Sequence, residues 1–157
     1  MPSPLNSPPV FLPFAPTHDT LPSSPYTGQQ VTHAASGVVF RWNGAAWAAA
    51  APGREVAPAG AGVVVGRLVT VVAGLAELTD PAAHLHCSGI VEAVVEALAV
   101  FRFAGPVAGF SGLTPAATIY AGAGGLPVED PDDAENVIAV GYASAADTIH
   151  VQPSVGG

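Results

Sequence analysis

The sequence contains no lysine, and its only basic residues are Arg41, Arg54, Arg67 and Arg102. Charged residues make up 10% of the chain where about 25% is usual, which excludes a surface coated with Lys and Glu throughout. Twelve carboxylates give a net charge of −8, excluding nucleic-acid binding through clustered cations and disfavouring an anionic membrane surface. A single cysteine, Cys87, rules out an intrachain disulfide. No apolar run is long enough for a membrane-crossing helix, since the best one, Val63 to Ala76, is broken by Arg67 and two glycines. The N-terminus, Met1-Pro2-Ser3-Pro4, has neither a basic region nor an apolar helical core, so a soluble chain without a secretory signal, made inside the cell, is expected.

What remains is apolar and full of turns. Half of the 157 residues are apolar, enough for one modest core and too many for disorder throughout. With so little charge, either protein replaces water over much of the surface, or a bias toward Ala, Gly, Pro and Val is the whole explanation. Eight of the sixteen prolines fall in the first 25 residues, where each fixes φ and removes a backbone donor. Residues 1–27 are therefore expected to form an extended Pro-rich arm. Val10, Phe11, Leu12, Phe14 and Tyr26 make it more apolar than a flexible linker and are the candidate docking residues. The alternatives are an arm that packs on its own domain and one that stays mobile.

Residues 28–51 read as a β-hairpin. Val38-Val39-Phe40-Arg41-Trp42 and Ala45-Ala46-Trp47-Ala48 flank Asn43-Gly44, a dipeptide whose two positions accept the positive φ of a tight hairpin turn. Phe40, Trp42 and Trp47 are the expected packing residues of this hairpin, and a sugar-binding platform is the alternative use of the two tryptophans. A Gly/Pro/Ala linker over 52–62 leads to a β-rich main domain at 63–157. Val63-Val64-Val65, Leu68–Val72, Ala99–Phe103, Thr118–Tyr120, Val137–Val140 and Thr148–Val151 read as strands, separated by turn signals. Ile90 to Leu98 fits both periods; a strand through Val95 is expected, with a short helix as the alternative.

Candidate chemistry is sparse. His84 and His86 flank Leu85, so on a strand they would share a face and supply imidazoles to a metal around a symmetry axis. One chain alone offers too few ligands, and no metal or other cofactor is expected. Cys87 reads as a small buried residue. Glu129, Asp130, Asp132, Asp133 and Glu135 lack the spacing of a calcium loop and read as a solvated turn. Gly109-Phe110-Ser111-Gly112-Leu113 lacks the final Gly of a nucleophile elbow, and Gly122-Ala123-Gly124-Gly125 lacks the Lys of a phosphate loop. An enzyme is not expected.

The run from Gly109 to Tyr120, then Gly124-Gly125-Leu126, Val140 to Ala145 and Ile149-His150-Val151, resembles the small β-domains of tailed-bacteriophage virion proteins. The stretch from Gly28 to Trp47 is similar to a hairpin that recurs in phage fibres. Within the first run, Ala116-Ala117 stands where Gly is the usual turn residue. The resemblance implies an all-β fold with an extended arm, a hairpin and a small antiparallel barrel or sandwich. It also implies a homotrimeric structural protein on the capsid surface, made in the host cytoplasm, whose partners are its own copies and other virion proteins. A capsid decoration or cement protein is the first expectation; a tail-fibre or tail-adaptor subunit and a module that binds host glycans through Trp42, Trp47, Tyr120 or Tyr142 are the alternatives. The loops over 122–135 are expected to face outward.

Overall fold

The computed structural model describes residues 15–131 and 137–152, and 46% of these described residues are strand against 2% helix. The chain is all-β, built of mainly antiparallel sheets, with no closed barrel among the described residues. Two compact units divide it, residues 1–50 and 51–157.

The first unit holds a four-stranded sheet in the order β1 (Thr17–His18), β2 (Gln30–His33), β3 (Val39–Trp42), β4 (Trp47–Ala49). Alternation along β2 and β3 turns Val31 and Phe40 inward, and both are fully buried. β1 lies parallel to β2: Thr32 donates its N–H to the Pro16 carbonyl at 2.8 Å and its hydroxyl to that of Ala15 at 3.1 Å. The last part of the Pro-rich segment is thus tied to its own sheet. The β3–β4 connection departs from the expected two-residue turn. It spans Asn43–Ala46, and Asn43 Oδ1 accepts the N–H groups of Ala45 and Ala46, both at 2.9 Å. Asparagine serves here as a side-chain cap, leaving positive φ to Gly44 alone.

In the second unit, β5 (Arg54–Pro58), β6 (Leu68–Val72), β7 (Leu75–Leu78), β8 (Gly89–Val95) and β9 (Leu98–Arg102) form a sheet in the order β5-β9-β8-β6-β7. The stretch 52–62, expected to be a linker, therefore carries an edge strand. Ala57, with one methyl to bury, pairs opposite Ala99 in a ladder five residues long. Val63-Val64-Val65, expected as a strand, forms a turn instead, with Arg67 N–H reaching the Val64 carbonyl. The ambiguous stretch 90–98 resolves into β8, a two-residue turn at Glu96-Ala97, and the start of β9. The sheet edges curl until Ala59 bridges Ala76, and Val63, Val69, Val91, Ala99 and Phe101 are buried together on the inner face.

β10 (Gly105–Ala108), β11 (Thr118–Ala121), β12 (Pro127–Val128), β13 (Ala139–Ala145) and β14 (Thr148–Val151) form a second sheet in the order β10-β14-β13-β11-β12. This is the topology of the first sheet again, strand for strand. Where the third and fourth strands of each sheet meet, the pairings agree residue by residue. Leu68 opposes Ile90 and Val69 opposes Gly89, as Thr118 opposes Tyr142 and Ile119 opposes Gly141. Gly66 and Arg67 exchange hydrogen bonds with Val91, as Ala116 and Ala117 do with Ala143. Gly89 and Gly141 each lie where a Cβ would collide with the carbonyl of the neighbouring strand, Arg102 or His150. Residues 54–102 and 105–151 are thus two copies of one five-stranded unit.

The copies stack unequally. The second sheet buries Val107, Ile119, Ala143 and Ile149 on its inner face, and Leu68 and Ile90 from the outer face of the first sheet complete that core. A carbon built on Gly125 would stand 2.7 Å from the Leu68 carbonyl, and Arg67 Nη1 donates to the Gly124 carbonyl at 2.8 Å. The turn at 122–126, expected to face outward, in part clamps the two sheets together: Gly125 is buried, whereas Leu126 is exposed.

Candidate functional site

A bulge in β8 at Val91/Ala93 leaves Glu92 out of the ladder and turns its carboxylate toward β5 and β9. Arg54 and Arg102 stand directly opposite each other there. Glu92 accepts from Arg54 Nε at 2.6 Å and Arg102 Nε at 3.2 Å, neutralising two cations that would otherwise repel across the strand pair. All three are partly exposed, so the cluster contributes modestly to stability and holds the sheet edge in register.

Beside it runs an open groove of about 530 Å³ between the two sheets. Val65, Arg67 and Glu92 line one wall; Val107, Phe110 and Leu113 line the other. Its two charged side chains are already engaged, Glu92 by two arginines and Arg67 by the Gly124 carbonyl, so the groove presents mixed polar and apolar walls with no free charged pair.

Deeper in the first sheet a small polar knot is closed on itself. Thr70 and Thr79 hydroxyls meet at 2.9 Å, and Thr70 donates to the His86 carbonyl at 2.8 Å. The Cys87 thiol contacts the Val69 and Gly89 carbonyls at 3.5 Å each. Burial pushes this thiol up to about 11, against the smaller opposing effect of its hydrogen bonds with Thr79, Gly89 and Val69. A thiol held protonated at neutral pH is a packing group, not a nucleophile.

His84 and His86 do not share a strand face: residues 81–88 form turns and loop. His84 Nδ1 accepts the Asp80 N–H at 2.8 Å and its Nε2 stands 3.7 Å from Glu77, while His86 is exposed. The pattern of alternate residues failed because Pro81 ends extended structure just before it. Among the described residues no three His, Cys, Asp or Glu side chains converge as a metal would need. Of the acidic loop, Glu129 accepts the Thr114 N–H at 2.6 Å and Asp130 is exposed; Asp132, Asp133 and Glu135 lie outside the described residues.

Trp42 and Trp47 pair directly across the hairpin with ring centres 5.4 Å apart at 67°, and Phe40 meets Trp47 edge-on at 6.4 Å. Both tryptophans are half-buried by these contacts. Of the candidate docking residues, Val10, Phe11, Leu12 and Phe14 lie outside the described residues, whereas Tyr26 is 69% exposed.

On the outer face of the second sheet Tyr142, a glycan-contact candidate from the sequence, has a partner that sequence reasoning missed, His150. Tyr142 stacks on His150 at 5.2 Å and 22°, flanked in the ladder by Thr118 and Pro106. The repeat that carries this face shows in the sequence only around its turns, where a shift of 50 residues lays Asp80-Pro81 on Asp130-Pro131, Gly62 on Gly112 and Gly74 on Gly124. Comparison with known proteins returns no matching family model, no matching curated protein and no matching solved structure.

Proposed function

We propose that the chain is a non-enzymatic structural protein of a tailed-phage particle, a decoration or cement protein that binds and stabilises the head shell. The observation that carries this reading is the engagement of the described polar groups in holding sheets together, beside an unspent apolar surface. Glu92, Arg54, Arg102, Arg67, Thr70 and Thr79 each serve a strand or a turn. Val64, Val65, Val72, Leu75, Val94, Leu126 and Val137 are left in solvent. Such a surface gains free energy by contact, at about 25 cal/mol per Å² of apolar area covered. In this role the tandem sheets form a knob that associates as a homotrimer, and the apolar N-terminal arm attaches it to neighbouring shell subunits.

A glycan-binding module is the second reading. The exposed Tyr142–His150 stack favours it, because sugars settle on flat rings.

The test is a truncation at Phe14, since residues 15–18 are bonded to β2. The shortened protein is expected to fold and to lose attachment to purified heads in a co-sedimentation assay. Undiminished attachment would overturn the arm's role, and location on tails alone would overturn the cement reading. Binding to a carbohydrate array that Tyr142→Ala abolishes would move the assignment to the second reading.

A further inference from the structure

Asn43-Gly44 joins an amide side chain to the one residue type without a side chain, and the hairpin holds the pair exposed at its tip. Asn43 Oδ1 accepts two backbone N–H groups, those of Ala45 and Ala46, at 2.9 Å each. Two donors at that distance polarise the carbonyl and draw electron density from Cγ. They are also placed to hold the negative charge that collects on Oδ1 when a nucleophile adds to Cγ, as the paired N–H groups of an oxyanion hole do.

The nucleophile is the next residue in the chain. Gly44 is exposed, and among the described residues its N–H donates to no acceptor, so hydroxide can reach that proton. Asn43 Nδ2 has no hydrogen-bond partner among the described residues either, which leaves the departing group free. Gly44 holds φ at 102° and carries no Cβ to crowd its nitrogen. On the other side of the loop, Asn43 donates its own N–H to the Ala46 carbonyl at 3.1 Å.

We propose that Asn43 is a self-modifying site, an asparagine that the folded hairpin converts to aspartate and isoaspartate with solvent water as the only co-reactant. The Gly44 nitrogen gives up its proton and attacks Asn43 Cγ. The new N–Cγ bond closes a five-membered succinimide ring, the Cγ–Nδ2 bond breaks, and ammonia leaves with a proton taken from water. Water then opens the ring at either carbonyl. Cleavage of the N–Cγ bond restores the original main chain with an aspartate. Cleavage of the bond to the Asn43 main-chain carbonyl carbon leaves an isoaspartate, whose main chain runs through Cβ and Cγ. Nothing is oxidised or reduced: amide and water become carboxylate and ammonium.

The two products act differently on the hairpin. Aspartate keeps both bonds from Ala45 and Ala46 and makes them charge-assisted, so the cap strengthens. Isoaspartate adds a methylene to the main chain between Trp42 and Trp47, which pair directly across the strands with ring centres 5.4 Å apart. The longer connection no longer matches that register. Either product adds one negative charge to a chain that already carries −8.

The test is incubation of the folded full chain in mildly alkaline buffer, followed by trypsin, which cuts after Arg41 and Arg54 and releases the peptide carrying Asn43. Mass spectrometry is expected to find the one-dalton gain of amide to acid at Asn43, no slower than in the same chain in denaturant and faster as pH rises. Asn6 and Asn136 precede Ser7 and Val137, whose side chains crowd the attacking nitrogen, and are expected to lag. Gly44→Ala is expected to slow the gain about tenfold, since a methyl then stands beside the nitrogen. Asn43→Asp, which leaves Gly44 in place, is expected to keep the near-ultraviolet circular dichroism of the tryptophan pair, and the isoaspartyl fraction to lose it. No gain at Asn43 in the folded chain, or a folded rate below the denatured one, overturns the proposal. An isoaspartyl fraction that keeps the tryptophan signal overturns the effect on register.

Discussion

Cys87 illustrates how a residue that attracts attention in a sequence is disarmed by its surroundings. Its thiol is raised by burial to about 11 from an ordinary value of 9.0. The protonated form is therefore favoured in the folded state, and the unfolded chain gives up its proton first. This stabilisation is fully present below pH 9 and is lost as pH rises through 11. Unfolding free energy measured by denaturant titration is expected to fall between pH 9 and 11, and to fall less steeply in Cys87→Ala. An identical slope in the two proteins would show that the thiol takes no part. In the folded state at pH 8 the same thiol is expected to resist a thiol-reactive dye that labels it at once in denaturant.

At the scale of single elements, the turns carry the strain and the tight strand crossings carry the constraint. Ala97 holds φ at 68° in the β8–β9 turn and Ala116 holds 73° before β11, a region that disfavours any residue with a Cβ. Ala97→Gly and Ala116→Gly are each expected to stabilise by about 0.5–1 kcal/mol, the relief of left-handed strain less the entropy glycine adds to the unfolded chain. Gly141→Ala points the other way: its new Cβ meets the His150 carbonyl, and a loss of about 2–3 kcal/mol is expected. Thermal melts of the three variants decide both signs. These positions also mark what could be read in advance. The irregularity at Ala116 was visible because alanine replaced a turn glycine, and the strands at 68–72 and 148–151 were visible from their β-branched residues. β5 escaped because Arg54 to Pro58 has one valine and ends in proline. The histidine pair misled because alternation signals a face only where the backbone is extended. The tandem repeat escaped because its equivalent positions share turn glycines and one Asp-Pro, while Leu68 faces a core and Thr118 faces water.

For the whole molecule, both hydrophobic clusters of 51–157 are made from residues of that segment alone, and the boundary after Ala50 cuts no strand. Residues 51–157 are expected to fold by themselves with one cooperative transition, and the loss of residues 1–50 is expected to leave its midpoint unchanged. A shift of that midpoint, read by calorimetry, would show that the two units share stability. A chain with two units of one topology also faces a hazard in folding, since a strand of one can pair within the other. The hairpins differ in a way that opposes this. β8 and β9 make five pairs around a bulge at Val91/Ala93, whereas β13 and β14 make four around a bulge at Ala143/Ala145. The bulges fall at equivalent steps of the two ladders, so were β9 to take the place of β14 only its length would fail: Leu98 and Ala99 would run past Ala145 and find no partner. The difference in hairpin length thus penalises the wrong pairing by leaving two residues of the intruding strand outside any ladder.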